Sequence, residues 1–474
     1  MNIQKQFFPT EIFRAYDIRG KVSALTPNVV SAIAYALAEQ FIEAGQTQVV
    51  LGYDARLTSP TYAKIIEQIL LNNHIQVENI GCCSTPQMYF AALQKNGNGI
   101  MVTASHNPKS DNGVKWIVQG EPPTPQMIQE VGLKAQSDQH HVFDLNKISI
   151  QQHQIKSEIC TNYQKSLLDD IDLKRPLKVV IDALNGSAGN CAVQVLKQLG
   201  CDVIAIRCDA NGHFPDHAPD PSKSVHLNEL RHKVLAHQAD IGIALDGDGD
   251  RVVLIDEKAD IITADRLLSL FAKICLLAHP GREIVFDVKC SVMVKKTIEA
   301  FGGTAKMIRT GSSFLRRYLA ASKGNAVFGG EYAGHYVFND GRGLGYDDGL
   351  YAALRVMEYM SQSHATLSEI LAPYPERSYT EDTYISTHNE DPQNLLEDIE
   401  NLSRTTPAQL SKIDGVRLDF DHGFGIIRAS NTGEYFTVRF DADCPSRLDE
   451  IRQTFVSMLS ERYPKIAQDI LNAQ

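Results

Sequence analysis

Short apolar runs that end in polar loops recur along this chain. Residues 49–54, 178–182 and 284–287 are apolar stretches rich in β-branched residues, and each ends in an aspartate. Such stretches are typical of buried strands, and a helical pattern follows each of them. Alternation of strands with helices predicts mainly parallel sheets with helices packed on them. After the first stretch we expect a helix with Ser59 as its cap and Pro60 at its first position.

The same order of elements occurs three times. Each copy opens with a strand, an aspartate and a helix, and closes with a strand whose exit loop is rich in polar residues. These exit loops lie at residues 103–108, 246–251 and 330–335. The predicted fold class is therefore α/β, with three similar α/β domains whose sheets are mainly parallel. We place these domains at residues 1–150, 151–256 and 257–372.

The C-terminal part of the chain has a different pattern. Residues 414–420, 425–429 and 435–440 alternate between apolar and polar side chains, as half-exposed strands do. A helix at residues 447–459 is expected to close the chain. We therefore predict a smaller α+β domain at residues 373–474, with the four domains arranged around a central cleft.

Composition and charge exclude several classes of partner. Apolar residues make up 43% and charged residues 22% of the chain, the balance of a soluble globular protein. The formal net charge is −11 and no basic run with interleaved aromatic residues occurs, so neither nucleic acid nor an anionic membrane is an expected partner. No apolar stretch is long enough to span a bilayer. Nine cysteines without a CxxC pair, and no signal-peptide core, predict a cytoplasmic protein with reduced thiols, which we expect to be a monomer.

The loop between the predicted strands at residues 241–245 and 252–255 carries three carboxylates, those of Asp246, Asp248 and Asp250. Carboxylates on alternate residues repel each other unless a cation holds them, and the intervening glycines let the backbone turn them inward. Oxygen-only ligands suit a hard cation such as Mg2+ or Ca2+. Arg251 adds a fixed positive charge, which is a useful partner for phosphate. The alternative is a solvated acidic turn.

A second metal interpretation is an EF-hand loop. Its first, third, fifth and twelfth positions would be Asp246, Asp248, Asp250 and Glu257. The sixth position, which needs glycine for a sharp turn, is Arg251, and the flanks resemble strands rather than helices. A non-catalytic Ca2+-binding protein, which would bind Ca2+ tightly, is the alternative of a different functional class.

The first exit loop reads Thr-Ala-Ser-His-Asn-Pro at residues 103–108. Ser105 beside His106 suggests a hydrolase, but adjacent side chains rarely form a nucleophile–base pair and no G-x-S-x-G elbow surrounds the serine. An ordinary polar turn is the alternative. Downstream, Lys115 is able to return to the same cleft, whereas Trp116, the only tryptophan, is expected to pack in the core.

Two later loops also carry candidate binding groups. Glu331 and His335 offer a carboxylate and an imidazole, which suit hydrogen bonds to sugar hydroxyls and proton transfer near neutral pH. Residues 428–433 group a guanidinium, two hydroxyls and an amide, a set that is able to cradle a phosphate. A structural Glu–His pair and an ordinary hairpin turn are the respective alternatives.

Together these loops resemble the α-D-phosphohexomutase superfamily, most closely its bacterial phosphomannomutase/phosphoglucomutase group. The resemblance covers essentially the whole chain, and its most specific motifs are residues 103–108 and 246–251. It implies an enzyme, an intramolecular phosphotransferase of the isomerase class that needs Mg2+. The implied substrate is a small phosphosugar, mannose or glucose phosphate. The phosphoryl group would move between positions 1 and 6 through a phosphoserine and a hexose 1,6-bisphosphate, which also serves as activator.

The resemblance also implies a role for each candidate residue. Ser105 would carry the phosphoryl group and, with Asp246, Asp248 and Asp250, hold Mg2+. Arg251 would stabilise the transferring group. Lys115, His335, Tyr16 and Arg19 would lie near the reacting oxygen, with Lys115 and His335 as acid/base groups. The substrate-binding residues would be Arg266, Lys289, Ser312, Glu331, Tyr332, Ala333, Gly334 and His335. The clamp for the non-reacting phosphate would be Arg428, Ser430, Asn431 and Thr432.

The chain departs from the family pattern at three places. Ala333 stands where relatives usually have serine, Ser312 where close relatives tend to have histidine, and Gly433-Glu434 where a proline is common. The first two bear on sugar preference rather than on the chemistry. A phosphoglucosamine mutase, which the sugar loop would distinguish, and a phosphatase, which would release phosphate, are the alternative enzymes.

Overall fold

The chain forms two compact units, each built from two chain segments. The computed structural model describes residues 8–137, 157–430 and 433–473. The first unit contains Met1–Ile262 and Ala333–Ile370, and the second contains Thr263–Tyr332 and Leu371–Gln474. The boundaries of the four domains stay a prediction.

The first sheet has five strands of mixed direction. Its elements are β1 Ile18–Lys21, α1 Pro27–Glu43, β2 Gln48–Tyr53, α2 Ser59–Asn72, β3 Gln76–Cys82, α3 Thr85–Leu93, β4 Gly99–Val102, β5 Asp111–Ile117 and α4 Pro125–Ser137. The strand order is β1-β5-β4-β2-β3. β2 runs parallel to β3 and β4, whereas β5 runs antiparallel to β4 and β1. The sequence analysis did not predict β5, because two polar residues and a glycine open it.

The start of α2 differs by one residue from the prediction. Ser59 is the first helical residue and Thr58 holds the N-cap position, without a capping hydrogen bond from its side chain. The Ser59 hydroxyl instead donates to Asp54 Oδ1 at 2.7 Å. The assignment of Ser59 as the cap was therefore wrong, because this hydroxyl bonds the preceding strand end and not the backbone of its own helix.

The second sheet ends in a β-hairpin. Its elements are α5 Ser157–Asp170, β6 Lys178–Asp182, α6 Gly189–Gln198, β7 Asp202–Ile206, α7 Asn228–His237, β8 Ile241–Leu245 and β9 Val252–Ile255. The strand order is β7-β6-β8-β9. β6 runs parallel to β7 and β8, and β9 returns antiparallel to β8 with Leu245 opposite Val252. The acidic loop is therefore the tip of this hairpin.

The third α/β segment has a parallel core. Its elements are α8 Ala264–Ala278, β10 Glu283–Asp287, α9 Val292–Ala300, β11 Thr304–Ile308, α10 Ser312–Ala321 and β12 Ala326–Gly330. β10 pairs in parallel with both β11 and β12. The chain continues through β13 Tyr336–Phe338, α11 Gly349–Ser361 and α12 Leu367–Leu371. Together with the first two sheets, this makes three α/β domains with mixed, mostly parallel sheets, as predicted.

The C-terminal part is an antiparallel sheet with helices. Its elements are β14 Ser378–Tyr379, β15 Thr383–Ser386, α13 Pro392–Ser403, β16 Gln409–Ser411, β17 Val416–Phe420, β18 Gly423–Ala429, β19 Tyr435–Ala442, α14 Pro445–Leu459 and α15 Pro464–Leu471. The order β14-β19-β18-β17-β16 includes the three predicted strands, and β15 also pairs with β19. The predicted final helix is α14, but α15 follows it, so the expectation that α14 closes the chain was wrong. α15 has only two turns and buries Ile466, Ala467 and Ile470 in the core of this sheet.

Apolar side chains of the sheets and helices fill the core of the first α/β domain. Val49 and Leu51 of β2 and Ile100 and Val102 of β4 are fully buried in one cluster with side chains of α1 and α2. Trp116 on β5 joins this cluster, and its indole Nε1 donates to Gln40 Oε1 at 2.7 Å. Its predicted packing role is confirmed. The polar residues at the strand ends therefore lie outside this core, in the loops that carry the candidate site.

Candidate active site

The exit loop of β4 holds Ser105 in a strained conformation. Ser105 has a φ of 50° and is fully buried. A non-glycine residue in this left-handed region costs roughly 1–3 kcal/mol, so its surroundings must hold it there. Its backbone N–H donates to Thr103 Oγ1 at 2.8 Å, and its hydroxyl donates to Asp246 Oδ2 at 2.6 Å. The strained turn thus directs the serine oxygen at the acidic loop.

Arg56 fixes this loop, and the sequence analysis did not single it out. Its side chain is 1% exposed and pairs through Nε with Asp54 Oδ2 at 3.0 Å. Its guanidinium donates to four backbone carbonyls, those of Ser105 (2.7 Å), Asn107 (2.6 Å), Pro108 (2.7 Å) and Asp111 (2.9 Å). The only sequence signal was the aspartate at the end of β2, because the carbonyls that Arg56 binds lie some fifty residues away.

The acidic loop approaches Ser105 through its glycines. A Cβ at Gly247 would lie 2.5 Å from the Ser105 carbonyl oxygen, so only glycine permits this approach. Gly249 has a φ of 75°, which favours glycine as well. Asp246, Asp248 and Asp250 are buried, and one carboxylate oxygen from each lies within 4.8 Å of the other two. The predicted inward convergence of the three carboxylates is present.

Lys115 is the counter-ion of two of these carboxylates. Its Nζ lies 2.9 Å from Asp248 Oδ2 and 2.6 Å from Asp250 Oδ2. Burial lowers the pKa of Lys115, but the two carboxylates more than offset this and hold its pKa well above the ordinary value. The lysine is therefore an ammonium in this arrangement.

The donor set at the hairpin tip fits Mg2+. Burial and the charges of Asp250 and Asp248 raise the pKa of Asp246 well above its ordinary value, and a divalent cation would offset this repulsion. Asp248 Oδ1 is buried and has no hydrogen-bond partner among the described residues. All the converging side-chain ligands are oxygens, as hard cations prefer. Asp246, Asp248 and Asp250, with Ser105 beside them, would hold the ion.

The EF-hand interpretation does not fit this geometry. β8 and β9 flank the loop, where an EF-hand has helices. Glu257, the twelfth position, accepts hydrogen bonds from the hydroxyl and backbone N–H of Ser368 instead of turning to the acidic cluster.

Arg251 and His335 meet at the same hairpin. The Nε of Arg251 donates to His335 Nε2 at 3.1 Å, and the two residues form an antiparallel backbone bridge. His335 Nε2 also lies 3.4 Å from Asp250 Oδ1 and 3.9 Å from Asp347 Oδ2. Asp347 was not among the predicted residues, and its only signal in the sequence is an aspartate pair just before α11. A proton on His335 Nε2 would thus be placed between two carboxylates.

His106 is a neutral neighbour of the serine. Its Nδ1 lies 3.4 Å from Ser105 Oγ, farther than Asp246 Oδ2. Burial, followed by the charges of Arg251 and Arg19, lowers the pKa of His106 well below its ordinary value. The serine proton is therefore bonded to the carboxylate rather than to this imidazole, which does not favour the hydrolase interpretation.

Arg19 lies on β1 and is buried near this centre. Its Nη2 pairs with Asp17 Oδ2 at 2.6 Å and its Nη1 donates to Asn107 Oδ1 at 3.2 Å. Burial lowers the pKa of Arg19, but the charges of Asp17, Tyr16 and the acidic loop raise it by more, so the pKa lies above its ordinary value. Tyr16 is 42% exposed. Arg19 therefore lies beside the Ser105 loop and Tyr16 lies near Arg19, while their place near the reacting oxygen stays a prediction.

The N-terminus of α3 supports the acidic loop from behind, and this contact was also missed. Thr85 Oγ1 donates to Asp248 Oδ2 at 2.6 Å and its backbone N–H donates to the Asp248 carbonyl at 2.8 Å. Ser84 and Gln87 form a capping box that holds this helix start. A local cap was readable from the sequence, but its contact with a loop 163 residues away was not.

The second unit contains Lys289 and Arg266. Lys289 Nζ pairs with Asp382 Oδ2 at 2.6 Å, and its amine lies 5.6 Å from the centre of the Tyr332 ring. Arg266 is 8% exposed and donates to the carbonyls of Tyr374 (2.9 Å) and Leu371 (3.3 Å). Arg266 is thus bonded to backbone of the segment that leads into the C-terminal domain, while its predicted substrate contact stays a prediction.

A chain of hydrogen bonds joins the predicted sugar and phosphate residues of the second unit. Glu331 accepts from the Gly311 N–H, which directly precedes Ser312 at the start of α10. Asp287 accepts from Thr310 Oγ1 at 2.9 Å and from the Tyr332 N–H at 3.1 Å. Ala333 and Gly334 belong to the first unit with His335.

Arg428 continues this chain. Its Nη2 pairs with Asp414 Oδ2 at 2.7 Å, and the same oxygen accepts from the Thr310 N–H at 3.2 Å. Ser430 lies just after β18, and Asn431 and Thr432 lie outside the described residues. The predicted phosphate clamp therefore has its guanidinium placed beside the loop that precedes α10.

No helix in the described parts of the chain combines the length and apolar character needed to cross a bilayer.

Comparison with known proteins agrees with this geometry. Residues 10–141, 161–259 and 263–377 match the family models for α/β/α domains I, II and III of phosphoglucomutase/phosphomannomutase. The chain is 36% identical to a phosphomannomutase/phosphoglucomutase of Pseudomonas putida, covering 97% of both proteins. It is also 36% identical to a phosphoglucomutase of Neisseria meningitidis serogroup A, covering 95% of this chain and 96% of that protein.

The fold agrees as well. The crystal structure of a phosphoglucomutase/phosphomannomutase family protein from Burkholderia thailandensis superposes with a TM-score of 0.86 at 32% identity, covering 98% of each chain. The family models and the full-length relatives thus identify the same family that the serine loop, the acidic hairpin and the mixed sheets indicate. This chain belongs to the phosphoglucomutase/phosphomannomutase family.

Proposed function

We propose that this chain is a Mg2+-dependent phosphohexomutase that uses Ser105 as its phosphoryl carrier and a hexose 1,6-bisphosphate as intermediate. Enzymes of this family are isomerases that move a phosphoryl group between positions 1 and 6 of small hexose phosphates. The observation that supports the carrier is the strained, buried Ser105, whose hydroxyl bonds Asp246 inside a cluster of three carboxylates. A serine that only filled space would need neither the strain nor the cluster.

Phosphoryl transfer depends on positioning and charge neutralisation more than on covalent help. Bound Mg2+ would supply positive charge to the phosphoryl oxygens on Ser105. Arg251, fixed by the Asp246 carboxylate at its backbone N–H (3.2 Å) and by His335 at its Nε, supplies a second positive charge. Asp246 orients the serine hydroxyl, and Arg56 keeps the loop backbone from relaxing.

Proton transfer belongs to His335 and Lys115 in this proposal. Because Arg251 Nε donates to His335 Nε2, this ring nitrogen is the acceptor in the neutral imidazole. Arg251 occupies this lone pair in the present arrangement, so an attacking sugar hydroxyl would have to displace that hydrogen bond before Nε2 removes its proton. The carboxylates of Asp250 and Asp347 would stabilise the resulting cation. Lys115, held as an ammonium by two carboxylates, suits the donor role.

Residues of the second unit would bind the rest of the substrate. Glu331 and Tyr332 would contact sugar hydroxyls, Lys289 would assist them, and Arg428 would bind the phosphate that is not being transferred. A mutase must accept its bisphosphate in two orientations, and sugar contacts separate from a phosphate contact permit both. Because the chain resembles phosphomannomutase/phosphoglucomutase over its whole length, we expect both mannose and glucose phosphates to be used. Ala333 and Ser312, which replace a hydroxyl and an imidazole usual in the family, would alter only the preference between them.

The test is an assay of mannose 1-phosphate and glucose 1-phosphate with catalytic bisphosphate, alongside the intact mass of the protein. Phosphorylation mapped to Ser105, activity on both sugars and loss of activity in Ser105→Ala are expected. Treatment with EDTA should abolish turnover, and Mg2+ should restore it. Full activity in Ser105→Ala, net phosphate release, or use of glucosamine phosphates alone would contradict the proposal.

A further inference from the structure

Two cysteines meet directly behind the acidic hairpin. Cys160 lies on α5 and Cys191 lies in the first turn of α6, and their thiols are hydrogen-bonded to each other. Gln164, one turn after Cys160, donates from Nε2 to Cys191 Sγ at 3.8 Å and to Gln194 Oε1 at 2.5 Å. The packing of α5 on α6, and not a flexible loop, therefore brings the two cysteines together.

The same thiols contact the elements that support the metal loop. Gln87 of the α3 capping box donates from Nε2 to Cys160 Sγ at 3.8 Å, while its Oε1 accepts from the Ser84 N–H at 3.0 Å. On the other side, a Cβ at Gly249 would lie 2.7 Å from Ala188 Cβ, just before α6, and 3.3 Å from Ser84 Cβ. The starts of α3 and α6 thus lie beside the hairpin tip, and Cys160 of α5 contacts Gln87 of α3 while Cys191 is part of α6.

We propose that Cys160 and Cys191 form a reversible disulfide under a hydroperoxide oxidant, and that this bond loosens the support of the acidic hairpin and weakens its hold on Mg2+. The linkage would draw α5 towards the first turn of α6 and remove the thiol that orients the amide of Gln87. That amide completes the cap of the helix whose Thr85 bonds Asp248. The effect on Mg2+ rests on the proposed function, whereas the disulfide itself does not.

The oxidation balances with a hydroperoxide alone. The Cys160 thiolate attacks one peroxide oxygen, the O–O bond breaks, and the leaving hydroxide takes up a proton as water. Cys191 sulfur then attacks the Cys160 sulfenic acid, and the sulfenic hydroxyl leaves with the Cys191 proton as a second water. The two thiols together lose two electrons, and these reduce one hydrogen peroxide to two waters.

Chemistry at the two sulfurs supports this order of attack. The hydrogen bond with Cys191 lowers the pKa of Cys160 to about 7 even though burial opposes ionisation, so much of it is thiolate at neutral pH. Cys160 is also partly exposed, whereas Cys191 is buried. By contrast, burial raises the pKa of Cys82 and of Cys208 to about 12.

The experiment treats the full-length protein with hydrogen peroxide, quenches it, and maps peptides. Trypsin should yield one cross-linked pair, residues 157–165 joined to residues 179–197, which a reductant separates. Calorimetric Mg2+ titration of the reduced and oxidised proteins should show affinity about five- to tenfold lower after oxidation, the size expected for one lost supporting hydrogen bond. Turnover at limiting Mg2+ should fall in parallel and recover with reductant.

Matched variants separate this pair from general oxidation. Cys160→Ser and Cys191→Ala should abolish both the linked peptide and the change in affinity, whereas Cys444→Ser, at a partly exposed cysteine of the second unit, should keep both. Oxidation of other thiols without the linked peptide would overturn the disulfide. A linked peptide with unchanged Mg2+ affinity would overturn its coupling to the hairpin. Neither result depends on whether the enzyme turns over sugar phosphates.

Discussion

At the scale of single residues, two buried carboxyl groups have pKa values shifted in opposite directions. Asp348 caps α11, where its carboxylate accepts from the Tyr351 N–H at 2.9 Å and from the Tyr163 hydroxyl at 2.8 Å. No cation pairs with it among the described residues, and burial raises its pKa from 3.8 to about 6. Asp340 is also buried, but the ion pair with Arg355 at 2.7 Å outweighs the effect of burial and lowers its pKa.

We predict different pH effects for Asp348→Asn and Asp340→Asn. The folded state binds the Asp348 proton more tightly than the unfolded state, so its contribution to stability is full below about pH 4 and is lost as pH rises through about 6. Relative to wild type, Asp348→Asn should therefore gain up to ~3 kcal/mol between pH 4 and pH 7. Asp340 contributes fully above its unfolded pKa and loses this contribution only as pH falls below about 4 towards its lowered folded pKa. The stability difference between Asp340→Asn and wild type should therefore stay nearly constant between pH 4 and pH 7 and shrink below pH 4. Denaturant unfolding at pH 3, 4 and 7 measures both differences, and a change for Asp340→Asn between pH 4 and pH 7 as large as that for Asp348→Asn would contradict the assignment.

At the scale of elements, two loops are held together by backbone contacts that no side-chain pattern records. The β8–β9 hairpin needs Gly247 because a Cβ there would strike the Ser105 carbonyl oxygen at 2.5 Å. The Ser105 loop needs Arg56 because one guanidinium binds four of the carbonyls around the turn. The backbone of the β8–β9 hairpin and of the Ser105 loop thus positions the serine and the carboxylates, in addition to the hydrogen bond between Ser105 and Asp246.

Gly247→Ala should disable the site with a moderate loss of stability. The methyl group would push the hairpin away from the Ser105 loop, and a misplacement of about 1 Å can cost 10²-fold in rate. Gly281→Ala is the control, because that glycine also has a positive φ, 76°, but no atom lies within 4 Å of the added Cβ. The control should lose about 1 kcal/mol of stability and keep its kcat. Comparable kcat in both variants would contradict the close approach.

Arg56→Lys should destabilise the protein and lower kcat together. Lysine keeps the charge but has one nitrogen, so most of the four carbonyl bonds are lost and buried acceptors are left unpaired, at roughly 1–3 kcal/mol each. We expect the free energy of unfolding in chemical denaturation to fall by several kcal/mol. We also expect kcat to fall when both proteins are assayed at the same number of degrees below their own Tm. Arg342→Lys, at a half-exposed arginine paired with Asp170 and Glu358, is the control and should change kcat little.

At the scale of the whole molecule, the candidate residues divide between the two compact units. Ser105, the acidic hairpin, Lys115, Arg251 and His335 belong to the first unit, and Lys289, Glu331 and Arg428 belong to the second. On this division rests our proposal that the first unit transfers the phosphoryl group and the second holds most of the substrate. It predicts different kinetic signatures for arginines of the two units.

Arg428→Ala should act mainly through KM, and Arg251→Ala mainly through kcat. A charge-assisted phosphate contact is worth roughly 1.5–3 kcal/mol, so Arg428→Ala should lower kcat/KM about 10- to 150-fold. This variant should also release more hexose 1,6-bisphosphate, because the intermediate is held less firmly while it turns over. Steady-state kinetics with a coupled assay for free bisphosphate measure both effects. A normal KM and no extra bisphosphate in Arg428→Ala would remove the C-terminal domain from substrate binding.

The sequence by itself determined the strands that lead into the motif loops, the three α/β copies, the motif residues and, through them, the family. These features depend on local periodicity and on residue types at short spacing, which the chain displays directly. It did not reveal β5, the long-range contacts of Arg56 and Thr85, the position of Asp347, or the meeting of Cys160 with Cys191. Those were decided only by the tertiary structure. The reason is physical: Ser105 and Asp246 bond across 141 residues because sheet order and register bring two strand ends together, and no local pattern encodes that distance.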